Sequence, residues 1–247
     1  MNRLISTAII AASLLTASAS YAADSARVLV FGDSNTWGWN PIEEGFPAGR
    51  HADDVRYGGV LDKALPNAKV VVDGFVGRRT NIDGRGEIGL VDASDFNGAK
   101  ALPDSIARNM PLDLVVVMLG VNDLQDGVGR SPEEVAKAAF ELAGIVQGSE
   151  KPVFTKYPAP KVLIVAPPAL DDTSATPLSG LFKAGEEPSR QLGGLFAAEA
   201  ERTSVPFFDA SQIVTSVGVD GIHMTAENHK ALGEALAPVV NEMLTNN

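Results

Sequence analysis

The chain has 247 residues, 45% of them hydrophobic, with no cysteine and a formal charge of −11 from 31 acidic and 20 basic residues. That size supports one sizeable α/β domain rather than two. The missing cysteine excludes disulfides, thiolate metal sites and a cysteine nucleophile, and the acidic balance argues against nucleic acid or an anionic membrane as partner.

The first residues read as a secretory signal. Arg3 supplies a positive start, Leu4 to Leu15 is apolar with only small polar interruptions, and Ser20-Tyr21-Ala22 offers a small-x-small cleavage site. The apolar run is too short for a membrane span, so no stable membrane insertion is expected. Residues 1–22 are expected to be removed on export to the periplasm or medium, leaving a single domain over residues 23–247. Removal takes away one base and no acid, bringing the charge from −11 to −12.

Five short apolar runs follow: Val28–Phe31, Ala68–Val72, Leu114–Leu119, Val162–Ala166 and Pro206–Phe208. Each is rich in β-branched or aromatic residues and ends at Gly, Pro, Asp or Asn. Continuous runs without alternation fit a parallel sheet covered on both faces. Between them lie helical patterns. Ser131-Pro132-Glu133-Glu134 is a capping box leading into Val135–Val146. Ser189–Arg202 is a second helical segment. Thr225 caps a last helix over Ala226–Leu244, kinked at Pro238. The alternation predicts a doubly wound, flavodoxin-like three-layer α/β/α sandwich around a five-stranded parallel sheet. Trp39–Val55 and Arg78–Ala107 read as long irregular stretches, a length that points to function or an interface.

One motif is a decoy. Gly84-Arg85-Gly86-Glu87-Ile88-Gly89 matches G-x-G-x-x-G but neither follows a strand directly nor opens a clear helix, so it reads as a surface loop. No Walker loop, Gly-x-Ser-x-Gly elbow or His-Glu-x-x-His occurs.

The chemistry-bearing residues follow the predicted strands. Gly32-Asp33-Ser34 comes after the first, Gly74–Arg78 after the second, Gly120-Val121-Asn122-Asp123 after the third, and Asp220-Gly221-Ile222-His223 on the approach to the last helix. Parallel strands carry these loops to one edge, where open α/β folds bind ligands. Together they supply a hydroxyl, a close-approach backbone N–H, a side-chain amide and an Asp–His pair, the parts needed for acyl transfer through a serine ester. Ser34 needs a base, and a neutral imidazole can serve. Only His51, His223 and His229 exist. His223 has Asp220 three residues before it, which can fix its tautomer, although Asp33 and Asp123 compete for that role. His51 reads as surface or interface and His229 as structural. Ser34, Gly77 and Asn122 are the expected oxyanion donors. Asn35, Trp37 and Val76 are the candidate substrate-pocket residues. Trp37 and Trp39 have two open readings, substrate entrance or core and interface.

Gly32-Asp33-Ser34, Gly77, Gly120-x-Asn122-Asp123 and Asp220-x-x-His223 resemble the four blocks of the SGNH (GDSL-type) hydrolase family. That resemblance implies catalysis by Ser34, Asp220 and His223, an oxyanion hole at Ser34, Gly77 and Asn122, and no metal or organic cofactor. Gly32–Trp39, Arg78–Asp83, Pro111–Leu114, Tyr157–Val162 and Val205–Ala210 extend the similarity to the arylesterase/acyltransferase branch. Asn35 stands where that branch commonly has leucine, and Phe75-Val76-Gly77 replaces a Leu-Ser-Ala-like stretch. The branch implies a small-molecule ester substrate, hydrolysis of short-chain or aryl esters with alcohols or peroxide competing for the acyl-enzyme, and a homo-oligomer. The alternatives are an exported glycan deacetylase, a lysophospholipase or thioesterase using the same residues, and a non-catalytic binding protein of this fold.

Overall fold

A computed structural model describes residues 25–246; the expected signal segment lies outside them. Five strands form one sheet: β1 (Ala26–Gly32), β2 (Ala68–Gly74), β3 (Leu114–Met118), β4 (Lys161–Ala166) and β5 (Phe207–Asp209). Their order is β2-β1-β3-β4-β5 and every pairing is parallel. Each matches an expected apolar run, with boundaries moved by one or two residues.

Among the described residues, eight α-helices accompany them: α1 (Ser34–Trp37), α2 (Tyr57–Ala64), α3 (Gly98–Asn109), α4 (Pro132–Gln147), α5 (Ser179–Phe182), α6 (Glu186–Ser189), α7 (Leu192–Thr203) and α8 (Ala226–Thr245). Alternate strand residues face opposite layers. Leu29, Phe31, Val115, Val117, Val162 and Ile164 pack against α3, α4 and α7. Val28, Val30, Leu114, Val116, Leu163 and Val165 pack against α2 and α8 through Leu61, Leu232, Leu236 and Val240. The result is the expected three-layer sandwich. Truncating one such buried leucine to alanine costs about 2–5 kcal/mol.

The helix starts follow local chemistry. Ser131 and Glu134 form the capping box of α4, with Pro132 at its first position. Thr225 and Asn228 cap each other at the start of α8, which continues through Pro238 to Thr245. Two expectations are corrected. The stretch 78–107 is not irregular throughout: α3 begins at Gly98, where Asn97 Oδ1 accepts from the Lys100 N–H at 3.3 Å. The helix expected over Ser189–Arg202 is broken. Ser189 ends α6, its hydroxyl donating to the Glu186 carbonyl at 2.6 Å and accepting from the Leu170 N–H at 2.9 Å, and α7 starts afresh at Leu192.

The topology places the site. The chain leaves β1 toward β2 on one side and returns to β3 on the other, so the order reverses beside β1. Open α/β sheets have their crevice at such a point. Gly32 is in register with both Gly74 and Met118. The three strands therefore end level, and the turns carrying Ser34, Gly77 and Asn122 leave the same edge side by side.

Candidate active site

Ser34 is the first residue of α1, directly after the β1 turn. The helix cap is Asp33 rather than Ser34: Asp33 Oδ1 accepts from the Asn35 N–H at 2.9 Å. This leaves the serine hydroxyl free of capping duty. Ser34 Oγ lies 2.9 Å from His223 Nε2, and His223 Nδ1 lies 2.7 Å from Asp220 Oδ2. All three residues are buried. With Asp220 accepting at Nδ1, the neutral ring carries its proton there and presents Nε2 as an acceptor to the serine hydroxyl.

The Asp220–His223 turn is closed by its own polar groups. Asp220 Oδ1 accepts from the Ile222 and His223 N–H groups at 3.0 and 2.8 Å. Gly221 has φ +74°, and a Cβ there would approach the Asp172 carbonyl to 2.7 Å, so glycine is required. Burial pushes the Asp220 carboxyl up, but the bonds from the His223 ring and turn backbone outweigh it and hold the group below the ordinary carboxylate range. Trp39 stacks on the His223 ring at 4.9 Å with an 18° tilt. This places Trp39 against the histidine, a contact that its position in the sequence did not disclose.

The rival carboxylates are engaged elsewhere. Asp123 accepts from the Thr80 N–H at 2.9 Å, the Thr80 hydroxyl at 2.6 Å and Arg130 at 2.9 Å. Asp33 is fully buried, which pushes its carboxyl up to about 7 against the opposing Asn35 N–H and Arg78 charge. Its Oδ2 accepts from Asn122 Nδ2 at 3.3 Å.

The three expected oxyanion donors sit on turns that leave the sheet edge level with one another. Gly77 has φ +79°, and among the described residues neither its N–H nor that of Ser34 meets a protein acceptor. Asn122 Nδ2 also donates to the Arg78 carbonyl at 3.2 Å, while its Oδ1 accepts from Gln125 at 3.0 Å. Two acceptors on one side and a donor on the other fix which way the amide points. Arg78, which the sequence reading left without a role, stitches these turns together. Its guanidinium donates to the Gly32 carbonyl at 2.9 Å and to Asp73, and lies 4.1 Å over the Phe31 ring.

The expected pocket residues separate. Val76 lines an open cavity of about 410 Å³ beside Gly77, with Phe96, Ile88, Leu181 and Gln125. Asn35 and Trp37 do not line it, and neither do Ser34 and His223. Asn35 is 3% exposed, with both polar atoms bonded to the backbone around His223. The Trp37 ring is covered by the Arg50 guanidinium at 4.9 Å. A larger cleft, about 700 Å³ between β2 and α3, contains neither Ser34 nor His223. His51 and His229 pack edge to face at 5.2 Å away from the serine; His229 is buried and accepts from the Tyr57 N–H at 3.3 Å.

Comparison with known proteins agrees with this architecture. Residues 30–231 match the model of the GDSL-like lipase/acylhydrolase family. The aryl esterase of M. smegmatis superposes with a TM-score of 0.82 at 42% identity, over 88% of this chain and 99% of that one. Est24, a carbohydrate acetylesterase from Sinorhizobium meliloti, gives 0.81 at 38% identity over 88% and 99%. A carbohydrate acetylesterase family member, also from Sinorhizobium meliloti, gives 0.79 at 36% over 90% and 100%. Comparison with curated protein sequences gives no match. A family match over most of the chain, joined to close structural likeness across whole esterase domains, is decisive: the protein belongs to the GDSL-like lipase/acylhydrolase family and is an SGNH-type esterase.

Proposed function

We propose that the protein cleaves small acyl esters through a Ser34 acyl-enzyme. The hydrogen-bonded line Ser34–His223–Asp220, at 2.9 and 2.7 Å, carries this reading. As Ser34 Oγ attacks the carbonyl carbon, His223 Nε2 takes its proton, and Asp220 holds the imidazolium that forms. The negative charge moving onto the carbonyl oxygen is met by the Ser34 and Gly77 N–H groups and by the Asn122 amide. Collapse breaks the ester bond, His223 returns the proton to the leaving oxygen, and the acyl group stays on Ser34. Water then repeats the sequence with His223 as base, releasing the acid.

The Val76–Phe96 cavity is the proposed subsite for the apolar part of the substrate. Aryl or short-chain esters are the first substrate class, by likeness to the mycobacterial aryl esterase. Acetylated carbohydrate is the second, by likeness to Est24. Alcohols are proposed to compete with water for the acyl-enzyme. Export through residues 1–22 and assembly into a homo-oligomer belong to the same reading; the apolar side chains of Leu90 and Phe154, exposed in one chain, support the second.

The test is turnover of p-nitrophenyl acetate by the exported form and by Ser34→Ala, with and without benzyl alcohol, beside an acetylated oligosaccharide. Turnover lost in the variant supports the serine mechanism, and benzyl acetate formation supports transfer. Turnover that survives the substitution refutes the nucleophile. Deacetylation of the oligosaccharide alone moves the substrate to the carbohydrate class.

A further inference from the structure

The proposed nucleophile and base come from turns 189 residues apart. Beside the Ser34–His223 bond, Asn35 makes a second tie between those turns. Its side chain is buried and is not among those that line the Val76–Phe96 cavity. Nδ2 donates to the Ile222 carbonyl at 3.3 Å, and Oδ1 accepts from the Met224 N–H at 2.9 Å. One carboxamide therefore grips the peptide units before and after His223. The partners also fix its orientation, since a peptide N–H only donates and a peptide carbonyl only accepts.

The remaining constraints on His223 come from other directions. Asp220 accepts from the His223 N–H and the Gly218 N–H donates to the His223 carbonyl, but both lie in the same turn. Trp39 covers a ring face without a hydrogen bond. Asn35 differs from these because it sits on α1 beside Ser34. Moving the His223 backbone relative to Ser34 requires breaking its bonds.

We propose that Asn35 is a positioning residue for the base, setting the His223 backbone so that Nε2 meets Ser34 Oγ. The inference rests on the serine esterase reading above. A leucine at this position can make neither bond. Reacting groups held by such ties lose rate steeply when they shift: a displacement of about 1 Å can cost about 100-fold.

The experiment compares wild type, Asn35→Ala, Asn35→Leu, Ser34→Ala and the core variant Val240→Ala on p-nitrophenyl acetate, below each variant's unfolding midpoint. Asn35→Ala and Asn35→Leu should lower kcat by about 10- to 100-fold with KM unchanged, because Asn35 does not line the proposed Val76–Phe96 subsite. The downfield NMR resonance of the proton between His223 Nδ1 and Asp220 should shift or broaden in both and stay in place in Val240→Ala, which loses stability without touching the turn. The leucine variant keeps the test open should the alanine variant not fold, since it fills the space. Wild-type kcat in Asn35→Leu, or an unmoved resonance, overturns the proposal. Loss of turnover in Ser34→Ala beside normal Asn35 variants refutes the positioning role alone, whereas turnover retained in Ser34→Ala refutes the serine reading beneath it.

Discussion

The turn Asp220–Met224 meets Ser34 through His223, the loop Gly84–Val91 lines the Val76–Phe96 cavity through Gly84 to Ile88, and the two are built in opposite ways. In the turn, backbone groups bond to Asp220, Asn35 and Gly218, and Ile222 and Met224 are buried. The loop is closed by bonds between Ile88 and Val91 and from Gly84 to Ala93, while Ile88 is 68% exposed and Leu90 fully so. The difference separates two tasks. Groups that exchange a proton need fixed separations, and a buried, fully paired polar network supplies them. Groups that only line a cavity need surface and shape, which a loosely attached loop provides and can vary.

That contrast ranks the expected effects of mutation. His223→Ala removes the proposed base from the rigid side and should lower kcat/KM by about 10⁴-fold or more; steady-state kinetics showing a loss of only a few-fold would break the assignment. Asn122→Ala removes one oxyanion donor and should lower kcat by about 10²–10³-fold with little change in KM. A change confined to KM would move Asn122 out of the oxyanion hole and into ground-state binding.

The third expectation concerns stability behind the rigid side. Burial, aided by the charges of His51 and Arg56, pushes the pKa of His229 from the ordinary 6.5 down to about 3. The unfolded chain therefore binds a proton below 6.5 that the folded chain refuses. Unfolding gains protons on acidification, so stability is lost as pH falls from 6.5 toward about 3. His229→Gln, which retains an acceptor for the Tyr57 N–H, should flatten the urea midpoint over that window. An unchanged slope would show that His229 is not an acid-sensitive group of this fold.

The smallest effect belongs to the open side. Ile88→Ser should leave the unfolding free energy within about 0.5 kcal/mol of wild type, as surface substitutions usually do, and raise KM by a few-fold for an aryl ester while sparing kcat. A loss of kcat equal to that of Asn122→Ala would mean the loop positions reacting groups after all, and the contrast would fail.

The same contrast explains what was legible in the sequence. The five strands were readable because a sheet covered on both faces demands unbroken apolar runs, and the helices α4 and α8 because their caps are spelled in adjacent residues. Ser34, Asn122 and the Asp220–His223 pair were readable because each follows a strand or turn in order. Helix α3 was hidden by Gly98 and Pro103, residues of low helix propensity whose cost is offset by burial of Leu102 and Ile106. The role of Asn35 was hidden because its partners lie 187 and 189 residues away, and a polar residue beside a nucleophile reads as pocket lining. Arg78 was missed, and Trp39 was left with two open readings, for the same reason: their work is done across turns that only the sheet register brings together.

The central claim is that Ser34 becomes covalently acylated. Incubation with an aryl organophosphonate, followed by intact mass measurement and peptide mapping, tests it most directly. One adduct per chain, mapped to Ser34 and absent from Ser34→Ala, is the expected result. An adduct on any other residue, or labelling that persists in Ser34→Ala, would contradict the account.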